Sequence, residues 1–182
     1  MRMKQEFTLS IFSENQVGLL NQITNVFTRR NLNIESLTTS ESAIAGIHKF
    51  TIVVFSTREE IDKVAKQIEK RIDVIKAFVL TDEDIIHQEI ALYKVPTKTL
   101  LNGNEIEKLV RQYGARILEI TEEYTVIEKT GHKQETQELF EKMDQYGVVQ
   151  FTRSGRIAIT KLKAELLDNY LRKMEMGKKI LN

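Results

Sequence analysis

Phe7, Leu9 and Ile11 alternate with polar residues over Glu6–Ser13, the period of a half-buried strand. From Leu19 the period lengthens. Leu19, Leu20, Ile23, Val26 and Phe27 fall on one face of a helix, with Arg29 and Arg30 in its last turn, where cations suit the C-terminal end. Asn31 is placed to leave that helix in a left-handed conformation. Ile34–Ser40 reads as a second strand and Glu41–Gly46 as a turn-like connection. Ile47–Phe55, with F-T-I-V-V-F at its centre, is strongly β and reads as an interior strand. Thr57 and Glu60 form a capping-box pattern ahead of a helix that buries Ile61, Val64, Ala65, Ile68 and Ile72. Val74–Leu80 is a last strand. The order is βαββαβ in about 75 residues, the ferredoxin-like arrangement.

Thr81–Glu89 is acidic and polar, and a domain boundary is expected there. The pattern then repeats. Ile90–Val95 reads as a strand, Asn102-Gly103-Asn104 as a turn, and Asn104 with Glu107 as a cap. The next helix turns Ile106, Leu109, Val110 and Tyr113 inward and ends at Gly114. Arg116–Ile120 and Tyr124–Lys129 read as strands. Gln134–Tyr146 reads as a helix with Leu139, Phe140, Met143 and Tyr146 inward. Val148–Arg153 and Arg156–Thr160 read as strands around a Ser154-Gly155 turn. A final helix is expected over Lys161–Met176, with Leu162, Leu166, Leu167, Tyr170, Leu171 and Met174 on one side. The fold class is therefore α+β, with two ferredoxin-like βαββαβ domains over 1–82 and 88–182, the second ending in an extra helix.

Composition narrows the function. The chain has 182 residues, 41% of them hydrophobic, enough for packed cores. A net charge of +1 makes no electrostatic case for nucleic acid or membrane. Without Cys there is no disulfide framework and no thiolate metal site. No apolar signal region precedes the first strand and no run approaches a membrane span, so a soluble cytoplasmic protein is expected. His48, His87 and His132 are scattered without metal-ligand spacing. Glu122-Glu123 and Asp82-Glu83-Asp84 read as solvated acidic loops. Neither a G-x-G-x-x-G sequence nor a P-loop occurs. No catalytic or metal site emerges.

One stretch carries candidate binding chemistry. Asn15, Gln16, Val17 and Gly18 turn the chain from strand to helix and leave backbone N–H groups at a helix N-terminus, a place for a small carboxylate. The Asn15 side chain both donates and accepts, which suits an α-amino acid.

N-x-x-G-L-L at 15–20 followed by N-I-E-S-L at 33–37 resembles the N-terminal ACT domain of the small, regulatory subunit of acetolactate synthase (acetohydroxyacid synthase). The resemblance continues through F-T-I-V-V, D-V-I-K, E-I-A-L-Y-K-V, I-L-E-I-T, Y-T-V-I-E-K-T-G and R-S-G-R-I-A, and covers about residues 5–160. It implies a non-catalytic regulatory subunit of branched-chain amino acid biosynthesis. Such a subunit binds and activates a large catalytic subunit carrying thiamin diphosphate, FAD and magnesium, with no cofactor of its own. It further implies a homodimer through ACT domains and feedback inhibition by a branched-chain amino acid, usually valine. The effector-binding positions it implies are Asn15, Gln16, Val17, Gly18, Leu19 and Leu20 from one chain, with Asn33 and Ile34 from the other. An aliphatic effector would then lie against Leu19, Leu20 or Ile34. Leu19 stands where many members have a small residue, and the tail after Ile159 is longer than in many bacterial members. The alternative is a free-standing ACT-domain sensor of an amino acid acting on another enzyme or regulator; it would lack the second-half segments. An enzyme with an unrecognised site between the domains is a third reading.

Overall fold

The computed structural model describes residues 3–101 and 104–180. The turn expected at Asn102-Gly103 lies outside the described residues. The chain divides into two compact units, Met1–Ile86 with Ala158–Asn182, and His87–Ile157.

In the first unit the order is β1 (Gln5–Glu14), α1 (Leu19–Arg29), β2 (Ile34–Glu41), β3 (Ile47–Ser56), α2 (Arg58–Ile68) and β4 (Val74–Leu80). The sheet order is β2-β3-β1-β4 with antiparallel neighbours, the arrangement the alternating pattern predicts. Period-2 alternation sends Phe7, Leu9 and Ile11 of β1 and Phe50, Ile52 and Val54 of β3 to one face. There they pack on Ile23, Val26 and Phe27 of α1 and on Ile61, Val64 and Ile68 of α2. Ile72, expected inside, is exposed beyond the end of α2. Thr57 caps α2 by accepting from the Glu60 amide at 3.3 Å, while the Glu60 carboxylate accepts from the Ser56 hydroxyl at 2.9 Å. Asn31 takes φ 53°, the left-handed exit its side chain tolerates.

The opposite face of this sheet is also buried. Thr8, Ser10 and Phe12 of β1 and Thr51 and Val53 of β3 are almost wholly covered. Part of the cover is the tail. Leu80, Ile85 and Ala158 form one apolar cluster with Phe78 and Leu166 packed against it. The Lys161 amide donates to the Asp84 carbonyl at 2.9 Å, and Lys76 Nζ lies 5.4 Å from the centre of the Tyr170 ring. This corrects the expected boundaries. Residues 158–182 group with the first unit and not with 88–157. The final helix, α6, runs Leu166–Ile180 and starts five residues later than expected. Of its expected apolar side, Leu167 is buried, whereas Leu162, Leu171 and Met174 are exposed.

β5 (Ile85–Pro96) begins earlier than expected because the acidic stretch closes into a turn. Asp84 accepts from the Thr81 amide at 2.8 Å and the Thr81 hydroxyl at 2.7 Å, and these bonds hold its carboxyl below the usual carboxylate range. Then come α3 (Thr97–Leu101), α4 (Glu105–Gln112), β6 (Arg116–Ile120), β7 (Tyr124–Gly131), α5 (Lys133–Asp144), β8 (Gln150–Arg153) and β9 (Ile157–Thr160). The sheet order is β6-β7-β5-β8, with β9 also paired to β5. The four strands β5 to β8 thus repeat the order of the first sheet, with β9 added. The core of the second unit joins Ala91, Tyr93 and Val95 to Ile106, Val110, Ile127, Leu139 and Met143. Asn104 precedes α4 but makes no side-chain capping bond, and Glu107 instead pairs with Arg111 one turn on.

Candidate functional site

The turn between β1 and α1 is built by backbone geometry. Gly18, the residue before the helix, holds φ 85°, a conformation that L side chains rarely adopt. A Cβ there would meet nothing within 4 Å, so glycine answers to backbone conformation and not to crowding within the chain. The Asn15 amide donates to the Gly46 carbonyl at 3.3 Å, Gln16 to Glu14 at 3.1 Å, and Leu19 to Gln16 at 3.3 Å. The amides of Leu20 and Asn21 stand in the first helical turn, where no carbonyl lies one turn back within the helix. No acidic residue occupies that turn and no side chain caps it. The positive end of the helix is therefore left to whatever approaches from outside.

Asn15, Gln16, Val17 and Gly18 are all exposed, Val17 completely so. Leu20 is 44% exposed beside them. Leu19 is only 2% exposed and packs into the core, on the helical face its spacing predicts. Asn33 and half-buried Ile34 lie past the C-terminal end of α1. Asn33 Nδ2 donates to Glu35 Oε1 at 3.1 Å in the open, which leaves its carbonyl oxygen for another donor. The two groups of candidate residues thus sit at opposite ends of an 11-residue helix. At a rise of 1.5 Å per residue that is roughly 16 Å, against ~4 Å for the backbone of a single amino acid. One chain does not bring them together. Asn33 and Ile34 stand at the start of β2, an edge strand whose outer side is unpaired in the single chain.

Elsewhere, the sequence reading missed one juxtaposition. His87 and His132 stack edge to face with ring centres 4.5 Å apart. They come from β5 and the residue before α5, so no spacing rule reveals them. Among the described residues, no group of three or more His, Asp or Glu side chains could hold a metal ion. Glu122 and Glu123 remain in an exposed turn between β6 and β7, where the Glu123 carbonyl accepts from the Thr97 amide at 3.1 Å. Arg30, Lys63, Lys66, Lys70 and Arg71 share an open groove on the first unit, a local concentration of charge that the near-neutral total conceals. Among the described residues, no helix is long and apolar enough to cross a membrane.

Comparison with known proteins bears on this arrangement. Residues 9–76 match the family described as "AHAS small subunit-like ACT domain", and residues 88–162 match "Small subunit of acetolactate synthase". The acetolactate synthase small subunit of Bacillus subtilis is 32% identical over 164 residues, which cover 87% of this chain and 91% of that protein. A probable acetolactate synthase small subunit of Archaeoglobus fulgidus is 31% identical over 154 residues, 85% of this chain and 96% of that one. Among solved structures, the acetolactate synthase small subunit of Thermotoga maritima superposes with a TM-score of 0.79 at 27% identity, covering 88% of this chain and 99% of that one.

Proposed function

The chain belongs to the acetolactate synthase small-subunit family, and from that premise we propose that it is the feedback-sensing partner of a catalytic large subunit. It binds that subunit and raises its activity. It also lowers that activity when a branched-chain amino acid, valine first among the candidates, occupies the ACT domains. It performs no chemistry itself; thiamin diphosphate, FAD and magnesium belong to the large subunit. The observation that carries the effector reading is the separation of the two half-sites by the length of α1. A ligand the size of valine touches both only if a second copy brings its Asn33 and Ile34 to the first copy's turn. The exposed edge of β2 is where such a copy would pair, closing a line of unsatisfied backbone groups.

In this arrangement the ligand carboxylate takes the free amides at the start of α1, and its ammonium takes the Asn15 and Asn33 carbonyl oxygens. Its aliphatic side chain lies against Leu20 and Ile34. Inhibition follows if the large subunit is activated less well by the ligand-closed dimer than by the open one, since a ligand shifts only an equilibrium between states it binds unequally. Reconstitution with a large subunit tests the reading. Acetolactate formation should rise on adding the chain and fall again on titration with valine, leucine or isoleucine. Light scattering should give a dimer at micromolar concentration. A monomer, or activation that no branched-chain amino acid reverses, contradicts it.

A further inference from the structure

The covered face of the first sheet is not filled. Beneath the tail lies a cleft of about 260 Å³, floored by Ser10 and Phe12 of β1 and Lys49 of β3. Register explains the floor. Phe12 pairs with Lys49 and Ser10 with Thr51, so these side chains share a face, the one turned away from α1 and α2. The volume is near the small end of metabolite sites and far larger than one water needs.

The cleft holds both signs of charge. Lys49 Nζ donates to the Ala158 carbonyl at 2.8 Å and lies 5.7 Å from the centre of the Phe12 ring. An ammonium has three donors, so this bond leaves others free. Burial pushes Lys49 below the usual lysine range, and the field of Glu165 opposes that shift. Glu165 lines the same cleft from the segment before α6, yet the two charges form no direct ion pair. Their wall is aliphatic. Leu162 and Leu166 line the cleft, and Leu162 is 59% exposed. A half-buried cation, a nearby carboxylate held apart from it, and an apolar wall complement a molecule that carries both charges on one end and hydrocarbon on the other.

We propose that this cleft is a second binding site, for a free α-amino acid with an aliphatic side chain. Its carboxylate rests on Lys49, its ammonium on Glu165 and its side chain on Leu162 and Leu166. The site is complete within one chain and uses neither the turn before α1 nor a second copy, so it stands apart from the effector reading above. Both family matches end by residue 162, so Glu165 and Leu166 lie beyond them.

Calorimetry on the full chain with leucine, isoleucine and valine in turn tests it. Ser10→Leu fills the cleft from its floor and leaves the bond from Lys49 to Ala158 in place. Glu165→Gln removes the ammonium's partner at an exposed position with little change of shape. Each should abolish or weaken by on the order of 10- to 100-fold about one site per chain. Circular dichroism should show both variants folded. Leucinamide and N-acetyl-leucine, each lacking one charge, should lose a similar factor at this site, whereas a 2-oxo acid binding as tightly as leucine would remove any role for Glu165. Gly18→Asp should spare the site. If Gly18→Asp leaves the isotherm unchanged while Ser10→Leu removes binding, the effector reading fails and this one stands. No binding of any of the three amino acids, or identical isotherms for the wild-type chain and both cleft variants, overturns it.

Discussion

At the start of α1 the backbone supplies the donors and the residues are exposed, so the proposed ligand would be closed in by another chain. Beside Lys49 the side chains of one chain supply both charges, over a floor that is partly or wholly buried. The difference lies in how each place is made. The turn follows from about six consecutive residues and the left-handed Gly18. The cleft needs β1, β3 and a tail more than a hundred residues further on, brought together by tertiary packing. A local feature open to solvent is suited to report on assembly, because in the proposed dimer assembly would complete it. A non-local feature is suited to report on whether the tail is seated.

That contrast can be broken most forcefully at Leu167, which has no exposed surface and seats α6. Leu167→Ala should cost about 2–5 kcal/mol of stability in the first unit by leaving a cavity. Thermal melts should detect this directly. Binding at the cleft should weaken while the turn before α1 keeps its geometry. Gly18→Asp should be the next largest change. It places a carboxylate where the proposed ligand's own would sit, and valine should bind the shared site before α1 on the order of 100-fold more weakly or not at all. Inhibition of acetolactate formation reports this, and activation of the large subunit should survive. Asn33→Ala should weaken valine at that shared site by on the order of 10- to 100-fold, through loss of a hydrogen bond to a charged group. Loss of basal activation in either variant would place these residues in the subunit contact instead.

The smallest expected effect is a control in the second unit, remote from both places in sequence. Glu128 is buried in β7 and accepts from the Thr130 hydroxyl at 2.7 Å, with Arg116 beside it. Those bonds, Thr130 first, hold its carboxyl below the usual range. A carboxyl whose folded pKa is depressed stabilises the fold above its unfolded pKa, and that stabilisation fades as pH falls through the folded value. Thr130→Val should therefore lower stability by about 1 kcal/mol at neutral pH, with the gap closing in acid. Urea titrations at several pH values measure it, and neither ligand site should respond.

Much of the fold was legible because it rests on local periodicity. The alternation in β1 and β3 and the 3.6-residue stripe of α1 fix which side chains meet in the first core. Leu19 illustrates the limit. Its place in the N-x-x-G-L-L motif suggests contact with a ligand, but the same helical stripe that includes Ile23 and Phe27 turns it into the core. The run F-T-I-V-V-F points to an interior strand but not to what lies over its second face, since Lys49 and Glu165 are brought to one cleft only by the tail's return to the first unit. The tail was misassigned for the same reason. An amphipathic helix at the end of a chain shows that one side is to be buried, not against which sheet. His87 and His132 likewise meet only through the fold.

Mixing two defective chains tests most directly whether one effector site is shared by two chains. A Gly18→Asp chain keeps a sound Asn33, and an Asn33→Ala chain keeps a sound turn. In a mixed dimer one site combines both defects and the other combines both sound halves. Allowed to exchange at equal amounts, about half of the dimers are mixed, so tight valine binding should return at about a quarter of the shared sites. The measured quantity is the valine-binding component that either variant lacks alone. Recovery of that component is the expected result. A mixture that binds no better than its separate parts, with exchange verified by mass, would mean that each chain holds its effector unaided.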